Sequence, residues 1–136
     1  MMIDKHALLE AALTARQNAY APYSRFAVGA ALLSEDGRVF TGCNVENRSY
    51  SLTCCAERGA VMQAVAAGCR RFTAVAVVGA PQGEIPTAPC YPCGACREVL
   101  VEFCTPDTAV YLTGETATLG ELLPKTFILE GTPVCE

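Results

Sequence analysis

Apolar residues recur at helical spacing in the first segment, where Leu8, Leu9, Ala12, Leu13 and Ala15 predict an amphipathic helix ending before Ala21-Pro22. The period then changes. Residues 26–33 (FAVGAALL) read as a strand, Glu35-Asp36-Gly37 as a hairpin turn, and 38–45 as the returning strand. Residues 56–67 predict a second helix, stopped by Gly68. It is apolar on most faces and is expected to be buried. Residues 73–79 (TAVAVVG) form a continuous apolar run, typical of a strand covered on both sides. After a Pro-rich loop at 80–92, a third helix is predicted from about Cys93 to Cys104, with Cys96, Val99, Leu100 and Phe103 on one face. Residues 108–112 predict the next strand, so 73–112 forms a βαβ unit with an expected right-handed crossover. A weaker strand at 115–118 and a short helix at 119–123 close the core. The pattern predicts one α/β domain over 1–136, with a mixed sheet sandwiched between helices.

Composition narrows the function. The 136 residues suit one domain, and 51% hydrophobic against 18% charged residues excludes disorder. The low charge also suggests that another subunit covers some apolar surface. His6 is the one histidine, which excludes a His-rich metal site, a Ser-His triad or a Cys-His dyad within one chain. Ten basic against fourteen acidic residues give a net charge of −4, the wrong sign for a polynucleotide partner. No apolar run reaches the roughly 18 residues of a membrane span. The N-terminal segment lacks the features of a secretory signal, so a reducing compartment, by default the cytoplasm, is expected. There, the nine cysteines point to metal binding or redox chemistry rather than structural bridges.

Two cysteine groups sit where helices begin: Cys54-Cys55-Ala56-Glu57-Arg58 and Cys90-Tyr91-Pro92-Cys93-Gly94-Ala95-Cys96. A helix N-terminus offers unpaired N–H groups and the positive end of the dipole, which favour thiolate. Cys93 and Cys96 are neighbours on a first helical turn, and Pro92 is tolerated at a helix start. The overlapping pair Cys90/Cys93 has the bulky Tyr91-Pro92 between its sulfurs, so Cys93 and Cys96 are chosen and Cys90 becomes a loop thiol. In a first turn, Cα–Cβ bonds tilt toward the N-terminal end, so Cys55 and Glu57 can both address a site ahead of the helix. Three thiolates from Cys55, Cys93 and Cys96 leave one tetrahedral position of Zn²⁺ open, and Glu57 beside it can move protons to and from water. A fourth ligand from Cys54 or Cys90 would instead make a closed, structural zinc module. Cys43, Cys69, Cys104 and Cys135 are expected to be buried apolar residues.

Cys-Ala-Glu-Arg at 55–58 followed by Pro-Cys-Gly-Ala-Cys-Arg at 92–97 resembles the zinc-dependent deaminases. With Tyr20-Ala-Pro-Tyr-Ser-Arg-Phe26, Gly42-Cys-Asn-Val-Glu-Asn47 and Leu122-Leu-Pro-Lys-Thr-Phe127, the chain is more narrowly similar to small, homotetrameric-type cytidine deaminases. That resemblance implies a three-layer α/β/α sandwich with a five-stranded sheet and one zinc per subunit. It also implies hydrolytic deamination of cytidine and deoxycytidine in pyrimidine salvage, by attack of activated water on C4. By the same resemblance, Cys55, Cys93 and Cys96 hold zinc and Glu57 shuttles protons. Asn44 and Glu46 bind the ribose hydroxyls, Phe26 packs on the pyrimidine, and the backbone at Ala56 helps read the base. Tyr50 and Phe127 reach into a neighbouring subunit's site.

The residues themselves support part of this assignment. Asn44 and Glu46 are two apart near a strand end and so share one face, where an amide and a carboxylate suit vicinal hydroxyls. Three thiolates on Zn²⁺ sum to −1, which blunts its acidity, and Arg58 is the candidate to withdraw that charge. A deaminase for a cytosine antibiotic such as blasticidin S is the enzymatic alternative, against which Asn44 and Glu46 favour a ribose. Cys54 and Cys90 are read as idle thiols. Arg48 is read as a solvated side chain, with a place near the sugar 5′ position as the alternative.

Overall fold

A computed structural model describes residues 4–131. Helix α1 (Lys5–Arg16) starts at Asp4, whose Oδ1 accepts the Ala7 N–H at 2.8 Å and so satisfies one open donor of the first turn. Strands β1 (Phe26–Ser34) and β2 (Val39–Cys43) form the expected hairpin, closed through Gly37 N–H to Ser34 O at 3.0 Å. Then follow helix α2 (Ala56–Ala66), strand β3 (Phe72–Pro81), helix α3 (Gly94–Val101), strand β4 (Ala109–Leu112), strand β5 (Glu115–Thr118) and the short helix α4 (Leu119–Leu122). A 3-10 turn at Tyr50–Leu52 had no counterpart in the sequence pattern.

The sheet runs β2-β1-β3-β4-β5, with β3 parallel to β4 and every other neighbouring pair antiparallel. It is the mixed five-stranded sheet expected. The β3 run is apolar throughout because both of its faces are covered. Ala74, Ala76 and Val78 meet Leu8 and Ala12 of α1 on one side. On the other side Val75 and Val77 meet Ala60, Val61 and Ala64 of α2 and Leu100 of α3. Burial of each such Val or Leu side chain contributes about 1.5–3 kcal/mol.

Several expected boundaries shift. The third helix stops at Val101 rather than Cys104, with Glu102-Phe103 in a turn. Strand β2 ends at Cys43, and beyond it the Asn44 side chain takes up the Val28 N–H and Phe26 C=O of β1. Helix α2 is not buried on most faces. Ala56, Glu57, Ala60, Val61 and Ala64 point inward, whereas Met62 is 61% exposed and Val65 lies on the same outer side. An apolar composition specifies that a face avoids water, and among the described residues nothing covers Met62 on the outer one. Cys69 and Cys104 are buried as expected, Cys43 is half-buried, and Cys135 lies outside the described residues.

Candidate active site

Both cysteine groups fold as helix caps. Cys55 is the N-cap of α2 and Cys93 the N-cap of α3, each with extended backbone, and Cys96 lies in the first turn of α3. Neither cap side chain makes a capping hydrogen bond to its own helix, which leaves both sulfurs to side-chain partners at the helix starts. Two further features hold those starts together. A Cβ on Gly42 of β2 would stand 2.4 Å from Ala56 O and 2.6 Å from Ala60 N, so α2 sits directly on the β2 backbone. Arg97 donates from Nε to Pro92 O and from Nη1 to Leu122 O, each at 2.7 Å, which ties the approach to α3 to the end of α4.

The result is a cluster in which the sulfurs of Cys55, Cys93 and Cys96 all lie within 4.8 Å of one another. Cys93 and Cys96 are separated by 3.4 Å. Zinc–sulfur bonds of about 2.3 Å put the sulfurs of a tetrahedral set roughly 3.8 Å apart, so this donor set fits the ion. Cys54 and Cys90 stay out of the cluster. The Cys54 thiol donates to Cys55 O at 3.6 Å. Cys90 instead packs over Gly79 of β3, where an added Cβ would meet its sulfur at 2.7 Å and Phe26 Cε1 at 3.0 Å. Among the described residues the sulfur cluster therefore has three members, as an open catalytic site requires.

The electrostatics favour one thiolate foremost. The Cys96 thiol donates to Cys55 and, with the Arg58 guanidinium, overcomes burial to bring the Cys55 thiol down to about 5. Cys96 moves the other way, as donor to that sulfur and by burial. Glu57 is 4% exposed, and burial, reinforced by the Cys55 charge, pushes its carboxyl up. A carboxyl so placed binds a proton more readily than a free one, and a change in the charge beside it alters that hold. Cys90 is pushed up to about 11, chiefly by burial and also by the nearby Glu57. That coupling brings Phe26, Cys90 and Glu57 into one neighbourhood.

Asn44 and Glu46 are buried and Val45 between them is exposed, the alternation expected of two residues sharing a face. Val45 bridges on both sides, to Tyr20 and to Cys54, which links this segment to the approach to α2. Asn44 Nδ2 donates to Phe26 O at 2.8 Å and its Oδ1 accepts Val28 N–H at 2.9 Å. Glu46 accepts from Tyr23 N–H, Ser24 N–H and the Ser24 hydroxyl. The sequence pattern gave no role to Ser24 or to Gly79. A serine two residues before an aromatic strand start and a glycine ending an apolar run were the available signals.

Tyr50 is exposed, edge-on to Tyr23 with ring centroids 6.5 Å apart. Phe127, 74% exposed, lines a separate groove of about 790 Å³ with residues of α3 and α4. Within one chain, neither is brought to the thiol cluster by any contact described. Arg48 is exposed.

Three sulfurs converging from two helix starts on one face of a mixed sheet, with a buried acid next to them, define a metal-dependent hydrolytic centre of the zinc deaminase type. Residues 2–113 match the family described as cytidine and deoxycytidylate deaminase zinc-binding region. The chain is 48% identical over 133 residues to a cytidine deaminase of Sporosarcina psychrophila, covering 94% of each. It is 44% identical over 131 residues to that of Mycobacterium tuberculosis, covering 96% of this chain and 95% of the relative. The crystal structure of cytidine deaminase from Burkholderia pseudomallei superposes with a TM-score of 0.84 at 52% identity, covering 92% of this chain and all of that one. The chain belongs to the cytidine deaminase family.

Proposed function

We propose that this chain catalyses the hydrolytic deamination of cytidine and deoxycytidine to uridine and deoxyuridine, with release of ammonia. The convergence of Cys55, Cys93 and Cys96 beside the buried Glu57 carries the reading. Zinc held by the three thiolates supplies the Lewis acidity that makes water nucleophilic near neutral pH. Glu57 takes the protons that this water gives up. A C4–O bond forms and the C4–N bond breaks; one proton ends on N3 and the other leaves on ammonia. The pushed-up carboxyl of Glu57 suits both directions of that transfer. Asn44 and Glu46 take the sugar hydroxyls, Phe26 packs on the pyrimidine, and the Ala56 backbone reads the base. Asn44 keeps one amide N–H, and Glu46 one lone pair, beyond the bonds each already makes.

The proposal includes a homotetramer in which Tyr50 and Phe127 serve a neighbour's site. Their exposure supports it, as does the exposed Met62–Val65 side of α2. Among the described residues no helix is long and apolar enough to cross a membrane. The free thiols of Cys43, Cys54, Cys55, Cys69, Cys90, Cys93 and Cys96 suit a reducing, cytoplasmic setting.

Ultraviolet assay of the purified, zinc-loaded protein tests the activity, because loss of the 4-amino chromophore reports turnover directly. Cytidine and deoxycytidine are expected to be consumed. Turnover of blasticidin S with neither nucleoside consumed would overturn the assignment.

A further inference from the structure

Glu46 is 6% exposed, and its carboxylate is held almost entirely by one short segment. Oε1 accepts the N–H groups of Tyr23 at 3.0 Å and Ser24 at 3.1 Å, and Oε2 accepts the Ser24 hydroxyl. Both lone pairs of Oε1 are then engaged, and one direction on Oε2 remains for a further donor. The Ser24 hydroxyl spends its one proton on Glu46. Its oxygen in turn accepts the N–H of Phe26 at 3.0 Å. On the other side of that residue, the Phe26 carbonyl accepts from Asn44 Nδ2. The backbone of Phe26 is thus fastened at its N–H through Ser24 to Glu46, and at its C=O to Asn44.

The residue between the two, Arg25, has φ 59, a left-handed conformation that costs free energy for a side chain with a Cβ. Hydrogen bonds on both sides hold it there: Arg25 N–H to Ala21 O at 3.0 Å and Gln82 N–H to Arg25 O at 2.7 Å. The bend turns the chain so that the Ser24 oxygen lies between the carboxylate and the start of β1. From this geometry we propose that Ser24 is a positioning residue for sugar recognition, its hydroxyl coupling the Glu46 carboxylate to the backbone that carries Phe26. The proposal rests on the reading of Glu46 as a sugar-binding group. Burial alone would push the Glu46 carboxyl up, yet it lies below its ordinary value, with the Ser24 hydroxyl foremost among the groups lowering it.

Without that hydroxyl, Oε2 loses its local donor and the carboxylate can rotate. The cost falls on a substrate that offers hydroxyls to Glu46 and spares one that does not. The test compares Ser24→Ala with the unaltered protein on cytidine and on 2′,3′-dideoxycytidine, the latter measured as a competitive inhibitor where turnover is slow. Cytidine kcat/KM is expected to fall roughly tenfold, mainly through KM, because a hydrogen bond to a charged group is at stake. The dideoxy nucleoside should change less than about twofold, and Ser24→Thr, which keeps the hydroxyl, should restore cytidine. Equal losses on both nucleosides, or no loss on cytidine, would overturn the proposal. Should Ser24→Ala not fold, Ser24→Cys, with its weak thiol donor, runs the same comparison. Failure of the unaltered protein to consume any cytidine would instead remove the functional reading itself, so the two failures are distinguishable.

Discussion

The guanidinium of Arg58 donates from Nη2 to the sulfur of Cys55 at 3.2 Å, one turn along the helix that Cys55 caps. Its Nε is buried and has no hydrogen-bond partner among the described residues. The Cys55 sulfur pushes Arg58 up, so the cation is secure, and the cation in turn helps lower Cys55. Three thiolates bring one negative charge too many to a divalent ion that must polarise water. Arg58 is the group that offsets it.

Arg58→Ala is therefore expected to leave the three sulfurs able to bind zinc but to make the activated water less acidic. The acid limb of the kcat profile, along which the water must lose its proton, should move to higher pH, with zinc content near one per chain. Zinc analysis and a pH–rate series check both statements. An unchanged profile would remove Arg58 from the chemistry.

Glu57→Gln separates metal binding from proton transfer more sharply. The side chain keeps its volume in a buried position and lies outside the sulfur cluster, so zinc content should hold. The amide cannot carry the proton, and loss of such a group removes about 10²- to 10⁴-fold of rate. Single-turnover kinetics beside zinc stoichiometry measures the two effects independently.

Much of this site was legible because its logic is local. Cys55 and Glu57 lie two apart at a helix start, and Cys93 and Cys96 three apart at another, so each pair addresses one point before any tertiary contact is known. Asn44 and Glu46 were legible as a face for the same reason. What they bond was not, since Phe26, Val28, Tyr23 and Ser24 reach them from across the β1–β2 hairpin. The exposed side of α2 was misread because hydrophobic pattern reports a dislike of water without naming the cover. The position of Cys90 depends on the missing side chain of Gly79, a relation between distant segments that no spacing encodes.

Gly42 tests how tightly the fold holds the α2 start. In Gly42→Ala the new methyl would lie 2.4 Å from a backbone carbonyl and 2.6 Å from a backbone nitrogen, neither of which can rotate away. Helix α2 must lift from β2, at a cost of about 1–3 kcal/mol for an overpacked contact. Because Cys55 and Glu57 ride on that end of α2, zinc affinity should fall with the melting temperature. Calorimetry with a competitive zinc titration would show both changes together.

Glu46 gives a prediction for acid stability. Burial opposes its ionisation, but the Ser24 hydroxyl and the Ser24 and Tyr23 N–H groups outweigh burial and hold the folded carboxyl below its ordinary 4.5. A folded value below the unfolded one contributes stability that is present above the unfolded value and is lost as pH falls through the folded one. In Glu46→Gln the melting temperature should therefore depend less steeply on pH below about 4.5 than in the unaltered protein. Parallel slopes would mean that these hydrogen bonds do not survive in solution.

The shared-site reading of Phe127 makes the most demanding prediction, because it requires two defective chains to repair each other. In a Phe127→Ala subunit, Glu57 and the thiols are intact, but the ring it should lend to a neighbour is gone. A Glu57→Gln subunit has a dead centre yet still lends its Phe127. Co-expressed, the two should form mixed assemblies in which a site with its own Glu57 receives the ring from the other chain. Activity per intact Glu57 should then exceed that of Phe127→Ala alone, while the same variants purified and assayed in separate vessels show no gain. A ring that served only its own chain, or the groove it lines beside α3 and α4, would leave the mixture at the sum of its parts.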